Sequence, residues 1–243
     1  MRSIVFANRV SKEIVRDPLS LFFGLAFPIV LLLLLTAINN SIPVDLFQLS
    51  SLTPGVAVFG LSFMALFAAQ VISKDRASSF LIRLYTTPLQ SKHFIIGYII
   101  PLLVMSVLQS SICVIAAMFL GLSYTASFLL LILTLIPTAC IFIGIGIICG
   151  TLFSEKAAVA LCGAVLTNVS AWFSGVWFDL ELIGGLFKEI AYVLPFYHAV
   201  ELSKAALAGQ FDMMSAHVCW VIGYTILILL AAIFVFKRKS KET

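Results

Sequence analysis

Long apolar stretches alternate with short polar segments along this chain. Six stretches of roughly 20 residues or more contain no Asp, Glu, Lys, Arg or His: 19–38, 54–72, 94–120, 128–153, 157–178 and 218–236. A helix needs about 20 apolar residues to cross the hydrocarbon layer of a bilayer. Transmembrane β-strands would alternate apolar and polar positions, and these stretches do not. The pattern predicts an all-α membrane protein with six transmembrane helices in one transmembrane domain, residues 1–243.

The composition agrees with lipid as the main solvent. The 243 residues are 62% hydrophobic and 11% charged, with a mean hydropathy of +1.14. A soluble globular domain has about 25% charged residues, so that class is excluded. All 15 Lys and Arg residues except Lys188 and Lys204 fall on one side of the predicted topology. The positive-inside rule therefore places both termini in the cytoplasm of a multi-pass protein of the cell (plasma or inner) membrane. The net charge of +4 follows from this topology and is no argument for nucleic acid.

The first 17 residues predict an amphipathic helix in the cytoplasmic interface. Apolar residues on one face include Phe6, Val10 and Ile14, and the opposite face has the basic residues Arg2, Arg9, Lys12 and Arg16. Such a helix turns its basic face toward lipid headgroups or a partner protein. A simple topogenic anchor is the alternative. Asp17-Pro18 ends the helix before the first span.

The connection 73–93 contains more than the charges that a plain topological loop needs. Phe80, Leu81, Leu84 and Tyr85 form an apolar patch at helical spacing, flanked by Arg76 and Arg83 and ended by Pro88. An amphipathic helix that docks in a groove of another protein needs both the patch and the charges. The connection therefore predicts a cytoplasmic coupling helix.

The segment 179–217 is apolar without forming a clean span. Gly184-Gly185 and Pro195 divide it into pieces too short to cross, which favours extracellular re-entrant or interfacial helices before the last span. Its ionisable residues are Asp179, Glu181, Glu189, His198 and Glu201. Ionisable groups at membrane depth are functional candidates, and the alternative is that they reach the headgroups and only solvate the loop.

Neutral polar residues inside the spans are candidates for a substrate path. They are Ser62, Gln70, Asn168, Ser170, Trp172 and Ser174, and helix packing is the alternative role. The chain has no phosphate-binding loop, no catalytic motif and no metal-ligand spacing. The spans also lack a carboxylate for ion coupling. If the chain transports a substrate uphill, the energy must come from another subunit, most simply through 73–93.

Two motifs resemble a known family. Asp75-Arg76 and Arg83-Leu84-Tyr85-Thr86-Thr87-Pro88-Leu89 are similar to the pattern E-R-E-x-G-T-x-E-R-L-x-x-T-P-L of a coupling helix. Ser174-Gly175-Val176-Trp177-Phe178 and Leu194-Pro195-Phe196-Tyr197-His198-Ala199-Val200-Glu201 are similar to a second pattern before the last span. Both belong to the integral membrane (permease) subunit of type-2 ATP-binding cassette (ABC) exporters.

The resemblance implies a mechanism and partners. Two membrane subunits, a homodimer or two related permeases, would each rest on an ABC-type ATPase that binds ATP and Mg, so this chain would have no cofactor, metal or catalytic residue. Coupling would involve Asp75, Arg76, Phe80, Leu81, Arg83, Leu84, Tyr85 and Pro88. Asp179, Glu181, Pro195, His198 and Glu201 would form an extracellular gate.

The predicted function is ATP-driven export of a hydrophobic or amphipathic substrate: a drug, antibiotic, lipid or peptide. Export of a lipid-linked polysaccharide is the alternative within the family. A non-transporting membrane sensor or scaffold is the alternative outside it.

Overall fold

The computed structural model describes residues 2–41, 48–78, 91–123 and 127–242, and every regular element in these ranges is helical. The helices are α1 (Arg2–Val15), α2 (Pro18–Ser41), α3 (Leu49–Ala77), α4 (Ser91–Phe119), α5 (Ser127–Leu152), α6 (155–172), α7 (Leu180–Ile183), α8 (Gly185–Val193), α9 (Pro195–Ala208) and α10 (Phe211–Glu242). Two of them contain a π-helical turn, Phe22–Ala26 in α2 and Leu161–Leu166 in α6.

Within the described ranges, five helices are long and apolar enough to cross a membrane: α2, α3, α4, α5 and α10. They correspond to five of the six predicted spans. The remaining one, 157–178, corresponds to α6, which ends at Trp172 and is not among the five. The chain leaves the helical conformation there, and Gly175 has a φ of 70°. The count of six spans stays a prediction.

Local sequence signals set most helix boundaries. The Asp17 side chain accepts a hydrogen bond from the Leu19 amide (3.1 Å), which caps α2 with Pro18 in its first turn. The predicted breaks at Gly184 and Pro195 separate α7, α8 and α9. Gly209, in the left-handed conformation, caps α9. The last helix already begins at Phe211, so the predicted boundary between 217 and 218 lies inside α10.

The central helix of the bundle is α3. In its apolar stretch 83% of the residues are buried, against 17% in α2 and 11% in α10. Its closest neighbour is α5, where a Cβ added to Gly146 would lie 2.3 Å from the carbonyl oxygen of Ala65. One added to Gly150 would lie 2.8 Å from the carbonyl oxygen of Ala69. Small residues four positions apart let two backbones approach this closely.

Candidate functional site

The amphipathic helix α1 packs against α4 of its own chain. Most of its predicted apolar face is buried, with Val10 at 0% and Ile14 at 4% exposure, while Ile4 and Val15 stay exposed. The Phe6 ring meets the Tyr98 ring edge to face, with centroids 4.9 Å apart, and it lies over Gly97, where a Cβ would be only 2.3 Å from Phe6 Cδ1. Most of the apolar face of α1 therefore contacts protein rather than lipid.

An ion pair between the partly exposed Arg9 and the buried Asp75 joins α1 to the end of α3. Arg9 donates two hydrogen bonds to the Asp75 carboxylate, at 2.7 and 2.6 Å, and the Tyr98 hydroxyl donates a third at 2.7 Å. Asp75 is 1% exposed, so these donors replace the water that its charge would otherwise require. Glu13 adds ion pairs to Arg9 (3.1 Å) and to Lys74 (3.5 Å).

The next residue of α3, Arg76, joins the same corner to the last turn of α5 and to the turn that follows it. Its guanidinium donates to the carbonyl oxygens of Gly150 (2.9 Å) and Phe153 (3.2 Å). We call Arg9, Asp75, Arg76 and Tyr98 the corner cluster. It connects α1, α3, α4 and the end of α5, at the start of the connection 73–93 that is predicted to dock a partner.

The other predicted coupling residues lie outside the described residues. They are Phe80, Leu81, Arg83, Leu84, Tyr85 and Pro88. The two that are described, Asp75 and Arg76, belong to the last turns of α3 and bond to atoms of this chain.

At the opposite end of the bundle, polar residues connect the short helices. Asp179 caps α7 by accepting from the Glu181 amide (2.9 Å). Glu181 is ion-paired with Lys188 and accepts from the Tyr192 hydroxyl (2.6 Å). These hydrogen bonds, that of Lys188 first, lower the pKa of Glu181. Glu201 pairs with Lys204 at 2.8 Å within α9.

His198 occupies the contact between α8, α9 and α10. Its Nε2 lies 2.9 Å from the carbonyl oxygen of Tyr192, and its Nδ1 lies 2.9 Å from Nδ1 of His217. A carbonyl oxygen only accepts, so Nε2 of His198 donates and its Nδ1 accepts from His217. The Trp220 ring stacks on His198, with centroids 4.7 Å apart. Burial lowers the pKa of His198. Pro195, also predicted for the gate, is buried in the first turn of α9.

The candidate path residues divide into two groups. Ser62, Ser170 and Ser174 are buried and donate to carbonyl oxygens of their own helices or turns, and Gln70 donates to Asp17 at 3.2 Å. Asn168 and Trp172 lie on the exposed side of α6, Trp172 with 52% exposure. The Asn168 amide donates to the Ala164 carbonyl oxygen at 2.7 Å.

Sequence reasoning missed the pairing of Arg9 and Tyr98 with Asp75. A carboxylate at the end of a span needs compensating hydrogen-bond donors, and this requirement could have predicted that Asp75 has a basic partner. It also missed Gln109 and Ser110 in α4. Both are buried, and neither Gln109 Oε1 nor Ser110 Oγ has a hydrogen-bond partner among the described residues. Gly60 of α3 leaves the space that the Gln109 side chain fills, since a Cβ there would lie 2.3 Å from Gln109 Nε2.

These helices define a multi-pass helical membrane protein with an amphipathic helix packed against the end of its bundle. The model of the ABC-2 type transporter family matches residues 3–208, and the chain belongs to this family. It is the membrane (permease) part of an ABC transporter, and the family implies an ABC ATPase as partner. No match to a curated protein was found.

Proposed function

We propose that the chain is the permease subunit of an ABC exporter that moves a hydrophobic or amphipathic substrate outward. The partner ATPase binds and hydrolyses ATP, and both termini of this chain face it in the cytoplasm. Family membership supports the class of transporter. The corner cluster lies at the predicted cytoplasmic end of α3, and this position supports transmission of movement from the ATPase to the membrane helices.

In this proposal the ATPase docks on the connection after Ser78, and the corner cluster passes the displacement on. Asp75 bonds to α1 and α4, and Arg76 bonds to the turn before α6. If the end of α3 moved alone, the buried carboxylate would lose donors that water cannot replace without opening the core. The helices around the cluster therefore move together. Asp75 and Arg76 act here by positioning, and the apolar residues of 79–90 contact the ATPase.

The decisive experiment places Leu84→Asp in the docking patch and Leu182→Asp at the other end of the bundle as its matched control. Leu182 is 86% exposed in α7, so the same substitution there costs little packing. Removing a central anchor of an interface costs about 2 kcal/mol or more. We expect Leu84→Asp to abolish co-purification of the ATPase and ATP-dependent substrate movement in vesicles, and Leu182→Asp to retain both.

Wild-type co-purification and transport in Leu84→Asp would refute this docking site. If the wild-type pair binds and hydrolyses ATP but moves no substrate, the sensor or scaffold hypothesis replaces the exporter. Comparing drugs, lipids, peptides and a lipid-linked polysaccharide in the same vesicles identifies the substrate class.

We further propose that the exposed side of α6 faces a second membrane subunit and the substrate path. Ala160, Ala164, Asn168 and Trp172 recur every four residues along α6 and all are exposed. Small residues allow a second helix to approach closely. The Asn168 amide nitrogen already donates to the Ala164 carbonyl oxygen, but lipid chains offer no donor to its exposed oxygen.

Cysteine cross-linking tests this face, in a chain whose exposed Cys219 is replaced by Ser. We expect Asn168→Cys to cross-link two membrane subunits in the assembled transporter. The control is Leu230→Cys in α10, because Leu230 is 60% exposed and is expected to face lipid. Efficient cross-linking at position 230 with none at 168 would assign the interface to α10 instead.

A further inference from the structure

An open cleft of about 800 Å³ lies between α1, the start of α2 and the last turns of α3. From α3 it is lined by Phe67, Gln70, Val71 and Lys74, which share one helix face. The cleft is thus apolar along the body of the α3 span and basic where that span ends.

The wall formed by α1 contains two cations that no described carboxylate neutralises. Lys12 and Arg16 line the cleft and are exposed, and neither side chain has a hydrogen bond or ion pair with the described part of the chain. By contrast, Arg9 is bound to Asp75, and Lys74 lies 3.5 Å from Glu13.

One further carboxylate, Asp17, lines the cleft, and its oxygens are already occupied. They accept from the Leu19 amide (3.1 Å), from the Ser20 hydroxyl (2.7 Å) and from the Gln70 amide (3.2 Å). Among the described residues, the cleft therefore offers two cations without a protein partner, Lys12 and Arg16. Of its two carboxylates, Glu13 is paired with Arg9 and Lys74, and Asp17 is bound by neutral donors. The charge of the cleft complements an anion.

We propose that this cleft binds the headgroup of an anionic phospholipid. The phosphate contacts Lys12 and Arg16, and the upper part of the acyl chains lies against the exposed Val5 and Pro18, over the buried floor formed by Phe67 and Val71. A lipid fits better than a soluble anion because the lining is basic at one end and apolar at the other, in the order of a phospholipid crossing the interface. Phe6, Val10 and Ile14 of α1 are buried, whereas Lys12 and Arg16 are exposed together with Val5 and Val15, so the helix meets the interface with basic and apolar groups side by side.

The test uses the full-length chain in nanodiscs of phosphatidylcholine with or without phosphatidylglycerol, and it needs no ATPase. Native mass spectrometry measures retained lipid, and the thermal unfolding midpoint measures stabilisation. We expect wild type to retain phosphatidylglycerol over phosphatidylcholine. The double variant Lys12→Gln/Arg16→Gln should lose about 30-fold in apparent affinity, which corresponds to two basic contacts.

Two further variants separate site binding from general charge and from misfolding. Lys156→Gln/Lys237→Gln removes the same charge from exposed positions outside the cleft and should bind like wild type. Lys12→Arg/Arg16→Lys keeps the charge and should retain the lipid.

Equal loss of phosphatidylglycerol from Lys12→Gln/Arg16→Gln and from Lys156→Gln/Lys237→Gln would overturn the proposal, because it would indicate only diffuse electrostatic attraction. Loss of the lipid from the charge-conserving double, or equal retention of both lipids by wild type, would also overturn it. Stabilisation by millimolar inorganic phosphate equal to that by phosphatidylglycerol would assign the cleft to a soluble phosphate instead. None of these outcomes depends on ATP-driven transport.

Discussion

The close contact between α3 and α5 predicts a strong effect of one methyl group at Gly146. In Gly146→Ala the new Cβ would lie 2.3 Å from the carbonyl oxygen of Ala65 and 2.7 Å from Cβ of Ala68. Ordinary contacts of a Cβ are 3.4–4 Å. The first neighbour is backbone and cannot rotate away, so the two helices must separate by roughly 1 Å in a close-packed interior.

The energetic cost can be worked out against a matched control. Overpacking costs about 1–3 kcal/mol, and replacing Gly by Ala inside a helix gains about 1 kcal/mol. Gly223→Ala in α10 has the gain in helix propensity without the clash, because no atom of the described residues lies within 4 Å of the added Cβ. Gly146→Ala should therefore be about 1–3 kcal/mol less stable than Gly223→Ala. At about 2–4 °C per kcal/mol, the unfolding midpoints should differ by several degrees.

Thermal unfolding of the purified chain in detergent, followed by tryptophan fluorescence, measures this difference. Gly150→Ala should fall between the two variants, because its Cβ would lie 2.8 Å from the Ala69 carbonyl oxygen. If the unfolding midpoint of Gly146→Ala equals or exceeds that of Gly223→Ala, the backbones of α3 and α5 are not in direct contact at Gly146.

Three other predictions concern the ends of the bundle. Asp75→Asn should lower the free energy of unfolding, measured by chemical unfolding, by about 1–2 kcal/mol. This is less than the loss expected on breaking a fully buried ion pair, because the Arg9 side chain is 37% exposed. Glu13→Gln should lower the free energy of unfolding by less than Asp75→Asn. Burial lowers the pKa of His198, so the folded state binds fewer protons than the unfolded state, and the unfolding midpoint should fall as the pH drops below about 6.5. His198→Gln should flatten that dependence, and an unchanged pH profile would contradict this assignment. The thiol of Gln210→Cys should react with membrane-impermeant reagents only when they are added from outside. Tags at the two termini should be accessible only from inside. The reverse pattern would overturn the predicted topology.

The helices were predictable because lipid imposes length and the absence of charge on every span. The ends of the helices were less predictable, because a helix continues beyond the apolar layer whenever its polar residues tolerate the helical backbone. The last helix thus begins at Phe211 although Asp212 and His217 interrupt its apolar pattern. In the other direction, α6 stops at Trp172 while apolar residues continue to Phe178.

The site was predictable only where it depends on local sequence. Asp75 and Arg76 could be singled out from their neighbours in the chain. Their partners could not, because Arg9 is separated from Asp75 by 66 positions and Gly150 from Arg76 by 74. Only the folded bundle brings these residues together. Lys12 and Arg16 are likewise recognised as the cleft cations without a partner among the described residues only once Arg9 is seen to pair with Asp75.

Arg76 provides the sharpest test of how displacement reaches the proposed substrate path. Its hydrogen bond to the Phe153 carbonyl oxygen (3.2 Å) meets the chain just before α6 begins at Glu155, and α6 contains the exposed Asn168.

Hydrogen bonds from a charged donor contribute about 1.5–3 kcal/mol, and the value at this partly exposed site lies toward the lower end. Arg76→Ala should leave ATPase co-purification intact, because the docking patch is unchanged, yet lower the substrate moved per ATP hydrolysed. Arg76→Lys retains the charge but has a single donor group in place of the guanidinium, so it should fall between Arg76→Ala and wild type. Transport per ATP is measured in vesicles that contain both proteins. A wild-type ratio in Arg76→Ala would show that α6 is driven through other contacts, and loss of ATPase binding would place Arg76 in the docking surface itself.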